Sequence, residues 1–257
     1  MNIQLSDHFN YKKLFLFTLP SVVMMVFTSV YCVVDGFFVS NFAGKTAFAA
    51  INLIMPFILG GIGFMIGTGG SALVSYTLGT GDKEKANRYF SMLVYFTILA
   101  GILLTVLGII FVRPIAELFG ADESMMDTCV LYGRIVIAFN AAFMLQNIFQ
   151  SFFVVAEKPR LGLIVTIAAG VTNMVLDALF VGVFKWGTVG AALATGISQS
   201  IGGLLPLLYF ALPNNSSLQL TRTGFELAPL LKASSNGCSE LMSNVASSLI
   251  GIVYNYQ

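Results

Sequence analysis

Long apolar runs, separated by short polar or turn-forming breaks, repeat along almost the whole chain. A helix of about 20 apolar residues crosses the roughly 30 Å of hydrocarbon in a bilayer. The breaks contain Gly, Pro, Asn and Asp, which is typical of turns. No period-two strand pattern is evident, and lipid admits only helices or closed barrels. The pattern predicts six transmembrane helices and the start of a seventh near residue 227, the six covering 14–39, 47–78, 89–112, 129–155, 161–184 and 189–212.

The stretch 213–226 is polar and rich in turn residues, unlike anything before it. It predicts a cytoplasmic linker between two units. Residues 1–212 are then an N-terminal six-helix transmembrane lobe, and 227–257 are the first helix of an incomplete second lobe. We therefore expect an all-α integral membrane protein, a six-helix bundle plus the start of a seventh helix, whose partner is a missing C-terminal lobe of the same protein.

Composition supports the lipid bilayer as the main partner, because 57% of the residues are hydrophobic and only 10% are charged. An average soluble domain has about 25% charged residues. The net charge of +1 gives no surface for nucleic acid.

The basic residues predict the orientation, since Lys and Arg stay on the cytoplasmic side. The side opposite the N-terminus holds only Lys45, Arg113 and Lys185. A cytoplasmic N-terminus in the cell membrane is therefore expected, with nine basic residues on that side: Lys12, Lys13, Lys83, Lys85, Arg88, Lys158, Arg160, Arg222 and Lys232.

Ionisable side chains inside the spans are the first functional candidates, because each costs at least about 2.5 kcal/mol at the bilayer centre. Asp35 precedes Lys45 by ten residues, and Asp177 precedes Lys185 by eight. At 1.5 Å per residue both carboxyl groups lie roughly 12 to 15 Å below the outer lysines. They are predicted to share one depth.

Two further polar groups reach a similar depth. Asn173 lies one helical turn from Asp177 on the same face, and Thr195 lies ten residues after Lys185. Carboxylate, amide and hydroxyl oxygens are the hard ligands that Na⁺ prefers, with Asp35 and Asp177 as its carboxylate ligands, and the acids also make a proton site. Alternatively, Asp35 is a helix-end residue at the interface, Asp177 is bonded to Asn173, and Thr195 bonds its own helix.

Other polar groups in the spans leave two interpretations open. Glu240 either lines a cavity or is wetted at the interface, and Arg134 snorkels to the outer surface or pairs with Asp127. Polar residues on the fourth span either line a substrate path or join helices through hydrogen bonds. They are Asn140, Gln146, Asn147 and Gln150.

The second span is rich in glycine, and Gly63 and Gly67 have the spacing of a close helix contact. A phosphate-binding loop would need a following Gly-Lys-Ser/Thr, which is absent. His8 is the only histidine, so neither a catalytic triad nor a His-based metal site is expected. The sequence predicts neither an enzyme nor a cofactor other than a coupling ion.

Several motifs resemble the multidrug and toxic compound extrusion (MATE) family, in its prokaryotic form. The first span contains Leu19-Pro20 and Val34-Asp35-Gly36-Phe37-Phe38-Val39, followed by Gly44 and Ala49-Ala50. The loop Leu78-Gly79-Thr80-Gly81-Asp82-Lys83-Glu84-Lys85-Ala86 resembles that family's second cytoplasmic-loop motif. Asn173-x-x-x-Asp177 and Thr195 match positions that, with the first-helix acid Asp35, form a cation or proton site in the family's N-lobe.

The resemblance implies a Na⁺- or H⁺-coupled antiporter that exports small organic, mainly cationic, compounds by alternating access. The family has twelve spans in two lobes, so this chain corresponds to one lobe and one further helix. The alternative functions are a lipid-linked sugar flippase of the same superfamily and a membrane channel. The flippase is expected to need a cationic cavity, whereas Arg134 is the only basic residue inside the six predicted spans.

Overall fold

A computed structural model describes residues 11–43, 60–118 and 121–255, with only the backbone at 43, 60, 248–249 and 251–255. This part of the chain is helical throughout, apart from its turns and one extended segment after residue 211. The nine α-helices within it are α1 Tyr11–Phe38, α2 Gly60–Gly79, α3 Lys83–Leu118, α4 Glu123–Ala138, α5 Asn140–Val155, α6 Pro159–Asp177, α7 Gly187–Ala211, α8 Leu227–Asn236 and α9 Cys238–Asn255.

Four helices of the described residues are long and apolar enough to cross a membrane. They are α1 with its last turns, α3, α6 with its last turns, and α7. The pair α4 and α5 passes the same test as one bent span. The all-helical membrane fold is thereby confirmed, whereas the count of six spans and the division into domains stay predictions. Lys45 and the first part of the predicted second span, 47–59, lie outside the described residues, as do His8, Gly44 and the last two residues, 256–257.

The fourth predicted span, 129–155, is not one continuous helix. Its helices α4 and α5 are bent by 53° at Phe139. The Phe139 ring lies directly against Gly196 of α7, where a side chain larger than hydrogen would collide with it. The helix axis changes direction at this contact. The apolar run 129–155, which is continuous in the sequence, therefore belongs to two helices.

Two apolar clusters fill the interior. One is centred on aromatic rings of α3, α5 and α7, where the Phe90 and Phe152 centroids are 4.8 Å apart and those of Phe149 and Phe210 are 5.6 Å apart. The other lies around Tyr132 of α4 and includes Val39 and Val181, which follow α1 and α6. The two clusters occupy different parts of the bundle, and the predicted ion site borders the second.

The glycines of α2 bring neighbouring backbones into direct contact. A Cβ atom at Gly63 would be 3.0 Å from the Met144 Cα, and one at Gly67 would be 3.2 Å from the Ile148 Cα, both on α5. Gly69 faces α8, where its Cβ would be 2.5 Å from the Gly237 backbone nitrogen. The predicted close-packing role of Gly63 and Gly67 matches this contact with α5.

The segment 213–226, predicted as a linker, is non-helical and packs on α3. Its backbone nitrogens at Gln219 and Thr221 donate to the Asn87 Oδ1 at 3.0 Å and the Ser91 Oγ at 2.8 Å. Leu218 is fully buried among the residues of the aromatic cluster. The segment therefore connects α7 to α8 as an ordered strap held by specific side chains.

Candidate functional site

The two predicted carboxylates lie on α1 and α6, which pack along each other. Asp35 is half-buried near the end of α1, and Asp177 is the last residue of α6 and is fully buried. A π-helical turn begins four residues after Asp35, over Val39–Ala43, and another directly after Asp177, over Ala178–Val183, and the two π segments contact each other. Such turns occur frequently at functional sites.

The structure brings the two acids together. Their carboxyl groups lie close enough to interact electrostatically. Within the described residues, no donor reaches either oxygen of Asp177 or the Oδ1 of Asp35. Two ionised carboxylates are acceptors only, so they need a shared proton or a cation between them to interact favourably.

Tyr132 of α4 is a third member of the site that the sequence did not point to. Its side chain is 1% exposed and lies within electrostatic range of both Asp35 and Asp177. A tyrosine in an apolar helix gives no signal by itself, because tyrosines are common at membrane interfaces.

Asn173 lies one turn before Asp177 on α6 and is 2% exposed. Its Oδ1 has no hydrogen-bond partner in the part of the chain that the structure describes. Neither oxygen of Asp177 accepts a hydrogen bond from a described residue, so the alternative in which the Asn173 amide donates to Asp177 does not describe this arrangement. Thr195 of α7 is half-buried, next to Gly196, where the Phe139 ring packs. Its role as a ligand stays a prediction.

The polar residues of α5 face the interior. Asn140, Gln146 and Asn147 are buried, and Gln150 is half-buried. Gln146 packs directly against Gly202 of α7. Over the described ranges, each of the three buried side chains carries one polar atom without a hydrogen-bond partner. Unsatisfied buried amides are costly, so hydrogen bonding between helices alone does not account for them.

The two remaining ionisable candidates lie elsewhere. Arg134 is exposed on α4, which agrees with a side chain that reaches the surface. Glu240 is half-buried in the first turn of α9, and its backbone oxygen accepts from the Asn244 Nδ2 at 2.8 Å. Neither position places a charge beside the Asp35 and Asp177 pair.

The donor set fits a small hard cation or a proton. No group of three or more His, Cys, Asp or Glu side chains occurs among the described residues, so a thiolate or imidazole metal centre has no support there. Two carboxyl groups with an amide oxygen one turn away supply oxygen ligands alone, as an alkali cation requires. A charge buried without a partner is unfavourable, so occupancy by a cation or proton changes the stability of this arrangement.

Comparisons with known proteins agree with this architecture. The family model MatE matches residues 20–179. The multidrug export protein MepA of Staphylococcus saprophyticus is 24% identical over 95% of this chain and 55% of that protein. MepA of Staphylococcus aureus strain MRSA252 is 26% identical over 78% of this chain and 45% of that protein. The chain spans about half the length of the curated relatives it matches.

Solved structures show the same fold. A multidrug resistance MATE family transporter of the MOP superfamily, in an inward-facing conformation, superposes with a TM-score of 0.80 at 21% identity, covering 87% of this chain and 52% of that chain. A MOP superfamily transporter from Pyrococcus furiosus gives a TM-score of 0.84 at 21% identity, covering 93% and 54%. With more than half of its residues matched by the family model, this chain belongs to the MatE family.

Proposed function

We propose that this chain is the N-terminal lobe of a multidrug exporter driven by Na⁺ or H⁺. The observation that carries the proposal is the direct apposition of Asp35 and Asp177 in a buried place without a compensating donor. The names of the MepA relatives support export of several compounds, and the half-length match supports joint action with a second lobe.

The coupling ion acts by neutralising the carboxylate pair. Without a bound ion, the two acids repel each other, and with an ion between them α1 and α6 are held together. The π-helical turns after both acids contact each other, so a change in spacing at the acids is transmitted to them. An ion shifts a transporter between inward- and outward-open states only through unequal affinity for the two.

The substrate path is proposed along α5, where Asn140, Gln146 and Asn147 present unsatisfied polar atoms. Gln150 continues this face, and Glu240 of α9 supplies an acid for a cationic substrate at the junction with the second lobe. Small organic cations are the substrate class that an acidic and amide-lined surface favours. The N-terminus faces the cytoplasm of the cell in this proposal.

The test is efflux of a fluorescent organic cation by the complete two-lobe transporter in proteoliposomes, driven by a Na⁺ gradient or by a proton gradient. We expect Asp35→Asn to reduce ion-driven efflux to the level of empty vesicles, because the neutral amide no longer attracts the ion. Asp127→Asn, which removes an exposed acid of α4, is the matched control and keeps wild-type efflux. Unchanged efflux in Asp35→Asn would show that the proposal is wrong.

A further inference from the structure

A cavity of about 730 Å³ lies at the end of the bundle opposite the acidic pair. It is bounded by the first turns of α1, the turn between α5 and α6, and the end of α7 with the residues that follow it. Leu16, in its wall, precedes Asp35 by 19 residues on α1, which is about 28 Å along the helix. The cavity is therefore separate from the proposed ion site.

One side of this cavity is apolar and continuous with the outer surface of the helices. Leu16 and Ile164 line it and are 41% and 62% exposed, on α1 and α6. Phe17 and Pro20 form its buried floor on α1. In the topology of the proposed function these exposed aliphatic side chains lie at the level of the bilayer, where they offer an apolar surface to an acyl chain.

The other side of the cavity is cationic. Lys158 and Arg160 line it, together with one acid, Glu157. Lys12 lies one helical turn before Leu16 on the same face of α1. Helix α6 also begins here, at Pro159 with Lys158 as a cap whose side chain makes no capping hydrogen bond. Its positive dipole end adds to the charge of the basic side chains.

We propose that this cavity binds the headgroup of an anionic phospholipid from the cytoplasmic leaflet. The phosphate lies between Lys158 and Arg160, and an acyl chain follows the groove between Leu16 and Ile164. Apolar walls alone would accept any lipid tail, but the basic side chains and the helix N-terminus select a negative headgroup. The inference rests on the membrane topology of the proposed function, which places these helix ends at the cytoplasmic face.

Such a lipid connects parts of the bundle that are distant in sequence. Its headgroup contacts the turn before α6, the helix that carries Asp177. Its tail contacts α1, the helix that carries Asp35. Binding therefore stabilises the packing of α1 on α6 from the end remote from the ion. We expect the lipid to raise the thermal stability of the protein in detergent.

The experiment measures binding of phosphatidylglycerol to the purified full chain by native mass spectrometry and by the lipid-dependent shift in Tm. Phosphatidylcholine and inorganic phosphate are the comparison ligands. We expect binding of phosphatidylglycerol with a rise in Tm, and little effect of the other two. The double variant Lys158→Gln/Arg160→Gln binds phosphatidylglycerol about ten- to thirty-fold more weakly.

The control is the double variant Lys83→Gln/Arg88→Gln, which removes two exposed basic residues of α3 that do not line the cavity. It keeps wild-type binding. Equal binding of phosphatidylglycerol to both double variants would overturn the proposal, and so would an equal Tm shift from inorganic phosphate, which would identify a free-anion site. Asp35→Asn is expected to bind the lipid normally, so a failed ion-coupling proposal is distinguished from a failed lipid site.

Discussion

Substituting Gly69 by alanine tests how the helices after the strap dock on the lobe. Gly69 is on α2, and an added Cβ would meet the Ala233 carbonyl oxygen and lie 2.5 Å from the Gly237 nitrogen. Ordinary contact begins near 3.4 Å, so the backbone of α8 would have to retreat by at least about 0.9 Å. The obstacle is main chain on both sides, so no side-chain rotation relieves it.

Overpacking of this kind costs roughly 1 to 3 kcal/mol in a well-packed interior. For a chain of this size, a loss of 1 kcal/mol lowers Tm by about 2 to 4 °C. We therefore expect Gly69→Ala to lower the Tm of the purified chain in detergent by roughly 2 to 12 °C. The assay is thermal unfolding followed by intrinsic tyrosine and tryptophan fluorescence.

The same helix offers a matched control. Gly79 ends α2, and a Cβ there would meet nothing within 4 Å. Gly79→Ala is expected to leave Tm within about 1 °C of wild type, since an exposed change of this kind usually alters stability by under about 0.5 kcal/mol. If Gly69→Ala were as stable as Gly79→Ala, the backbone contact between α2 and α8 would not exist in solution.

Two further predictions concern the strap and the start of α4. Ser91→Ala removes the acceptor of the Thr221 N–H, so amide hydrogen exchange at Thr221 is expected to be roughly five-fold faster, whereas Ser71→Ala, which removes a hydroxyl bonded within its own helix, leaves it unchanged. Asp122 accepts from the Ser124 hydroxyl and the Met125 N–H, which lowers the pKa of Asp122. Because the folded-state pKa is lowered, its stabilisation is present above about pH 4 and is lost as pH falls below it. The protection of the Met125 amide against hydrogen exchange, measured relative to its intrinsic rate at each pH, should fall on acidification in wild type but not in Asp122→Asn; equal pH dependence of protection in both would refute this cap.

Hydropathy predicted the membrane fold, and depth predicted that Asp35 and Asp177 lie at one level; that they form a joint site was implied by the resemblance to the MATE family. Both predictions depend only on distance along a helix axis, at 1.5 Å per residue, and this distance follows directly from the residue numbers. Rotation about the helix axis decides which side chains face each other, and it is set by packing. Tyr132 was missed for this reason, because its approach to the acids depends on how α4 is rotated where it packs on α3 and α7.

The bend at Phe139 and the docking of the strap were also beyond the sequence. At the bend an aromatic ring meets Gly196, a contact between residues 57 positions apart. The strap has a turn-rich composition, which predicts a linker, but its order comes from Asn87 and Ser91 on a distant helix. Long-range contacts of this kind leave no local pattern.

Ion-dependent thermal stabilisation shows whether Asp35 and Asp177 form one ion site. The purified chain is titrated with Na⁺ at fixed pH, and with protons without Na⁺, as wild type, Asp35→Asn, Asp177→Asn and the double variant. An ion at 100 times its Kd stabilises wild type by about 2.7 kcal/mol. We predict that each single variant loses this stabilisation as completely as the double variant, because both acids hold the same ion. If each single variant kept half of the stabilisation and only the double variant lost it all, the two acids would be independent sites and would not share one ion.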